Sequence, residues 1–460
     1  MANSTSRLSG DKAADPGSYN TTVFTLRTND GEDMDIRGLL DSYTITESLY
    51  MGSIQAEFVI QDGVNLLELL KISGNEMIGL QVQRRNPDTN DNEGFSLILY
   101  IAEVLNYSRT KPGSAVYTLR CVSEHAYINQ TKTIDRGFKG TIGQVVDRIV
   151  SSDLDFTKLD HLGSGSHKNI STSSQDNIRG IFPKLRPLAA IKWLTENAFD
   201  EHSTPFYFFQ TATGRIHFQS YGDLLNKDPY NTDDNAYMHE PFSTVTLGDK
   251  GYYESERRKI RKVSSELNLS KYISLSEGAF GSTIHHIDIA SKTYATTSFK
   301  YNDDMKRLNK NKPFHTAPSA QYGNRSISDC TTGKNYFISL NSMAFPSHKN
   351  FHAPAETSLL KAQAYLANED IIAHTIELSG DFKLESGNVI HVNFLKTSTE
   401  EELEFDGTTN MRDKLLSGKC LITSIVHIFK DSYTMRLQIK NDSFTTDLED
   451  GFKASERTNT

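Results

Sequence analysis

The chain has 460 residues, of which 37% are hydrophobic and 23% charged. That balance supports extensive burial and excludes a wholly disordered polymer. Its 49 Lys and Arg against 58 Asp and Glu leave a formal charge of -9, so the overall field recruits no polyanion and nucleic acid would need a local basic patch.

The longest apolar run, Leu97 to Ala102, is far short of the stretch of about 20 residues that spans a bilayer. The N-terminus also lacks a charged-then-apolar signal pattern, so a soluble protein is expected, with no membrane insertion. Cys121, Cys330 and Cys420 are too few and too scattered for a disulfide framework or a thiolate metal site. They are expected as buried small hydrophobes in a protein made in a reducing compartment.

Residues 1–20 and 447–460 carry almost no bulky apolar side chain and are expected as flexible tails. From Thr21 the pattern is period two: Ile54, Ala56, Phe58 and Ile60 alternate with polar neighbours. Strands follow at Ile78 to Val82, Leu97 to Val104 and Ala115 to Val122, with turn chemistry at Lys111-Pro112-Gly113. Residues 21–132 therefore form a first β-barrel or sandwich. Residues 133–250 change character. Ile142, Val145, Val146, Ile149 and Val150 recur at helical spacing behind a capping box, Thr141 with Gln144. Pro187 opens a second helix, and Phe206 to Phe209 pairs with Arg215 to Ser220 around Ala212-Thr213-Gly214. This is an α+β module, with Gly163 to Asp176 as an exposed loop.

Alternation returns at Glu266 to Ile273 and Ile284 to Ile289, and a helix at about Glu356 to Ala367 precedes strands at Ile371 to Leu378, Val389 to Phe394, Cys420 to Phe429 and Tyr433 to Ile439. Residues 251–310 and 369–446 are assigned to a second barrel, interrupted by an insertion at 311–368. This late block repeats the early one. Ser73, Gly74 and Asn75 precede one strand and Ser386, Gly387 and Asn388 another; the distance from Gly to the next marker, Tyr117 or Tyr433, is 43 residues in one copy and 46 in the other. The strands Tyr117-Thr118-Leu119-Arg120 and Tyr433-Thr434-Met435-Arg436 share phase, with each Tyr facing inward and Arg120 and Arg436 outward. The fold class is thus mainly β with α+β insertions.

No pattern supports catalysis, a cofactor or a metal. His285 and His286 adjoin in a strand and point to opposite faces; His161, His167, His202, His217, His348, His352 and His374 lack partners at ligand spacing. Glu400, Glu401, Glu402, Glu404 and Asp406 lie among Ser and Thr as a solvated loop would, without the fixed, desolvated pair that glycoside cleavage needs. No phosphate-loop or nucleophile-elbow motif occurs. Trp193 is expected to pack on the helix from Pro187 or on a neighbouring module. Arg257, Arg258, Lys259, Arg261 and Lys262 put five positive charges in seven residues. With no aromatic platform for bases beside it, this run is read as a solvated connection or, among functional options, a subunit contact.

Several blocks together resemble the baseplate hub proteins of contractile-tailed bacteriophages, the T-even hub family, related to the N-terminal hub part of type VI secretion spike proteins. They are Thr46-Glu47-Ser48-Leu49-Tyr50 with the strand to Asp62; Gly74-Asn75-Glu76; the helix from Pro187 leading to Pro205-Phe206-Tyr207-Phe208-Phe209, with Gly214 and Tyr221; and the hairpin from Gly418 to Asn441. Asn311 to Phe351 has no counterpart. The resemblance implies two tail-tube-like β-barrels per chain and a homotrimer forming a pseudo-hexameric ring between the six-fold tail tube and the three-fold spike. It implies as partners a central spike protein, tail-tube or tube-initiator proteins and a tape-measure protein, with DNA only passing through the lumen, and it carries no catalytic residues. The alternatives are a tail-associated peptidoglycan hydrolase, with Asn311 to Asn368 or the acidic run as its site, and a tail-tube or adhesin subunit.

Overall fold

The computed structural model describes residues 16–28, 30–70, 72–74, 76–86, 91–111, 113–155, 168–171, 177–239, 252–267, 276, 278, 280–288, 292–301, 321–322, 325–326, 334–340, 353–368, 372–395, 413 and 416–441. Of the expected tails at 1–20 and 447–460, residues 1–15 and 447–460 lie outside them, as do Asn75, Cys330, His161, His167, His348, His352 and the acidic run Glu400 to Asp406; residues 16–20 are instead packed, with Tyr19 edge-on to Phe429 at 5.1 Å and Gly17 O accepting from Tyr433 N at 2.7 Å.

The fold is mainly β. One large sheet holds thirteen strands. Seven come from the early block: β1 (Asn20–Arg27), β2 (Asp33–Asp35), β3 (Leu40–Ser48), β4 (Gln55–Asp62), β5 (Met77–Arg85), β6 (Asn92–Lys111) and β7 (Ser114–Ser123). Six come later: β8 (Tyr237–Met238), β9 (Lys262–Leu267), β10 (Ile372–Ser379), β11 (Val389–Asn393), β12 (Gly418–Phe429) and β13 (Tyr433–Asn441). The ladder runs β9-β10-β13-β12-β3-β4-β7-β6-β5-β1-β2, with β11 between β12 and β8. Period-two alternation puts Phe24, Ile45, Phe58, Leu80, Leu99, Leu119, Ile376, Ile425 and Leu437 in one continuous core.

The two blocks have the same strand order. In the early block the antiparallel path is β3-β4-β7-β6-β5; in the late block it is β9-β10-β13-β12-β11. Both hairpins β6–β7 and β12–β13 hold a bulge in their long strand, at Ala102 and Thr423, and β6 shifts register twice more, between Leu105 and Ser108 and between Arg109 and Lys111.

Between the blocks, the helix Ile142–Ser152 starts at the Thr141–Gln144 capping box, and the helix Pro187–Glu196 has its proline in the first turn, both as the sequence predicts. Their apolar faces share a core with Phe206 and Phe218. Trp193 packs edge-on against Phe138 and Phe182, at 6.2 and 6.4 Å. The expected loop at Gly163 to Asp176 contains a short strand, Lys168–Ile170, parallel to Ile216–Ser220. Its three residues are too few for periodicity to reveal.

The sequence assignment of Ile284 to Ile289 to the second barrel is corrected. Strand Gly281–Asp288 pairs with Thr293–Lys300 and Lys334–Leu340 in a separate sheet. That sheet buries Phe280, Ile284 and Phe299 against Leu360 and Ala364 of the helix Ala353–Asn368. The material between β9 and β10 therefore starts near residue 268, earlier than the expected 311. Alternation reports a half-buried strand without saying which sheet it joins.

Candidate assembly interface

The residues singled out in the sequence sit where the blocks are built and joined. Gly74 and Gly387 take left-handed backbone, φ +96° and +83°, in turns ahead of β5 and β11. In the early turn the Glu76 carboxylate accepts from Ser73 N at 2.7 Å and Gly74 N at 2.9 Å. Burial alone would raise its pKa; these backbone donors bring it below the ordinary value. In the late turn the Asn388 side-chain oxygen accepts from Glu385 N at 2.8 Å, a carboxamide replacing the carboxylate. Each turn docks on its long strand: Ile101 N donates to Glu76 O at 3.0 Å and Ile422 N to Asn388 O at 2.9 Å.

Tyr117 and Tyr433 are fully buried. Tyr117 donates its hydroxyl to Asp62 Oδ2 at 3.2 Å and Tyr433 to Asp381 O at 3.3 Å. Each aspartate closes an Asx turn just past β4 or β10, accepting from Val64 N at 2.9 Å and Lys383 N at 3.0 Å. Arg120 bridges Glu57 and Glu103, both at 3.1 Å. Arg436 stands across from Glu377 on β10, as Arg120 does from Glu57 on β4.

The blocks meet edge to edge. β12 pairs antiparallel with β3 from Ser424↔Ser48 to Phe429↔Tyr43, and Phe429 stacks on Tyr43 at 4.5 Å and on Tyr433 at 4.3 Å. Glu47, fully buried on β3, accepts from Ser386 N at 2.6 Å and from Ala212 N, tying together the early block, the late turn and the hairpin at Ala212. Burial dominates its titration and pushes its pKa up to about 8, against the pull of those two N–H donors. A second tie starts from an ion pair inside the early block: Arg84 (2% exposed) pairs with Glu93 (1% exposed) at 3.1 Å and donates across to Gly380 O at 2.7 Å. Glu93 also meets Lys383 at 3.1 Å.

The basic run is engaged within the chain. Its first part lies in the helix Tyr252–Arg258. Arg257 contacts buried Asp381 at 3.5 Å and Glu254 at 3.1 Å; Arg258 donates to Asn235 Oδ1 at 2.6 Å. Lys259 lies 3.8 Å from Glu256, Arg261 donates to Ser379 Oγ at 2.9 Å, and Lys262 pairs with Glu377 at 3.2 Å while remaining exposed. The run braces the entry into β9; Glu254 and Glu256 are local partners, but Asp381 and Glu377 are distant in sequence, so a charge pattern does not disclose this use.

No family model matches the chain, and a search of curated proteins finds no match to it. Solved structures do. The 43 kDa tail protein of prophage MuSo2 from Shewanella oneidensis is similar at 10% identity, covering 92% of this chain and 99% of that one with a TM-score of 0.48. A tail protein from Neisseria meningitidis is similar at 10% identity, with 92% and 97% covered and a TM-score of 0.47. The Escherichia coli c3393 protein, a type VI secretion component, is similar at 10% identity, with 89% and 78% covered and a TM-score of 0.40.

Histidines are placed as packing groups. His217 stacks on Phe209 at 4.8 Å, and burial pushes its pKa down to about 3. His374 contacts Ser265 Oγ at 2.8 Å, while His285 stacks on Phe337 at 4.7 Å and buried His286 faces the other way. Among the described residues no cluster of three His, Cys, Asp or Glu is placed to hold a metal ion, and Cys121 and Cys420 are buried thiols. No helix among them is long and apolar enough to cross a membrane.

Proposed function

We propose that this chain is a structural subunit of a phage tail baseplate: a hub, without catalytic activity, whose three copies form a pseudo-hexameric ring joining the six-fold tail tube to the three-fold central spike. The carrying observation is that two blocks of identical strand order are joined edge to edge within one chain. A unit that meets its own repeat head to tail repeats that contact around a closed ring, and two units per chain turn three chains into six quasi-equivalent positions. The sequence likeness to baseplate hubs supports the same reading. Its partners are then two further copies, the spike, tube or tube-initiator proteins and a tape-measure protein, with DNA passing only through the lumen. Its location is the tail baseplate of the virion, assembled in the host cytoplasm.

Light scattering at micromolar concentration, with negative-stain images, tests the reading. Three chains per particle and three-fold rings with six lobes are expected. A monomer with and without the spike, or rings of six chains, overturns it; the latter is the behaviour of a tube subunit.

A further inference from the structure

β6 and β12 are counterparts, the long strand of each block, and each divides one edge between two neighbours. β12 gives the stretch from Gly418 to Leu421 to β11, and the stretch from Ser424 to Phe429 to β3. β6 gives the stretch from Asn92 to Tyr100 to β5. Beyond the contact of Ile101 N with Glu76 O, that edge of β6 continues to Lys111 without a partner strand among the described residues. The counterpart of β3 is β9. It has β10 along one edge and no strand along the other among the described residues. One chain thus holds a completed junction and the two separated halves of a second.

Side-chain exposure follows the same division. His427, across from Met435 on β13, is 1% exposed, and Phe429 is fully buried in the completed junction. Val104 occupies the matching place across from Leu119 on β7, and it is 39% exposed. Tyr107 stacks on Tyr117 at 6.0 Å as Phe429 does on Tyr433, yet it is 48% exposed. On β9, Lys262, Ser264, Ser265 and Glu266 are exposed. A long strand edge flanked by exposed Val104 and Tyr107 is a template for another strand.

We infer that the edge of β6 from Glu103 to Lys111 pairs antiparallel with β9 of a second copy of this chain, reproducing between molecules the β12–β3 junction found within one. The inference rests on the ring reading above and names the strands that close it. The contact is heterologous, so each copy offers one half to each neighbour.

Two classes of variant in the full-length chain test this. One disables the arm, Val104→Asp with Tyr107→Asp. The other disables the β9 edge, Ser264→Pro or, separately, Ser265→Pro; neighbouring residues of an antiparallel strand direct their N–H groups to opposite edges, so one of the two prolines spares the ladder to β10. Circular dichroism and thermal unfolding select the proline variant that remains folded. Wild type is expected at the mass of three chains, each variant alone at one chain, and an equimolar mixture at two chains, because one intact arm meets one intact edge. Variants that assemble as wild type does, or a mixture that stays at one chain while wild type trimerises, overturn the inference and leave the ring reading standing. A wild type that stays monomeric with and without the spike removes both.

Discussion

Glu47 offers the sharpest test of how the blocks are held. Its carboxyl ordinarily titrates near 4.5, and in the fold it is pushed up to about 8 by burial, first of all, against the two backbone donors Ala212 N and Ser386 N. The unfolded chain releases this proton near 4.5, whereas the folded chain keeps it until about 8. Stability from this site is therefore fully present below the lower value and is lost as pH rises through the upper one. At about 1.4 kcal/mol per tenfold change in proton activity, the interval corresponds to about 5 kcal/mol. Glu47→Gln removes the titration but presents one acceptor oxygen to two N–H groups, a loss of about 1–3 kcal/mol. Urea unfolding at about pH 5 should find the variant less stable than wild type by that amount, with the gap closing or reversing by about pH 9 as wild type loses stability. A stability difference that does not change with pH would refute the argument that a buried, largely protonated carboxyl joins the three segments.

Arg84→Met strands Glu93 in the interior with only Asn86 and Lys383 beside it and should cost about 3–5 kcal/mol in urea unfolding; a loss under about 1 kcal/mol would show that Glu93 does not depend on Arg84 for its compensation. Gly387→Ala introduces a Cβ 3.0 Å from Phe209 Cζ at φ +83°, so it should lower the melting temperature more than Gly113→Ala, where φ is +81° and nothing lies within 4 Å. The left-handed backbone alone costs about 1–2 kcal/mol, and equal shifts for the two variants would refute the packing argument. His427 is held neutral, its pKa pushed from 6.5 down to about 3 by burial. Its contribution is complete above the higher value and is lost as pH falls toward the lower, so His427→Gln should flatten the acid limb of stability relative to wild type. An unchanged acid limb would contradict that assignment.

What the sequence made legible was local. The Thr141–Gln144 cap, the proline entry at Pro187 and the alternation from Ile54 to Ile60 each depend on residues within one or two turns or one strand. The marker residues also survive translation into three dimensions, since Arg120 and Arg436 each face a glutamate on the equivalent neighbouring strand. The junction was not legible. Ser424 and Ser48 pair across 376 positions, and no periodicity encodes which edge receives which strand. Glu47 sat in a polar-looking stretch, and only the arrival of Ser386 and Ala212 from elsewhere makes it a tie. The strand at Gly281 to Asp288 alternates as a barrel strand would, but its apolar face is claimed by the helix Ala353–Asn368.

The division of β12 between β11 and β3 has a mechanical consequence. Tension drawn along this strand loads both sets of rungs in shear, so they resist together instead of opening one after another like a zipper. A load delivered to either block is thus passed to the other through the rungs between β12 and β3.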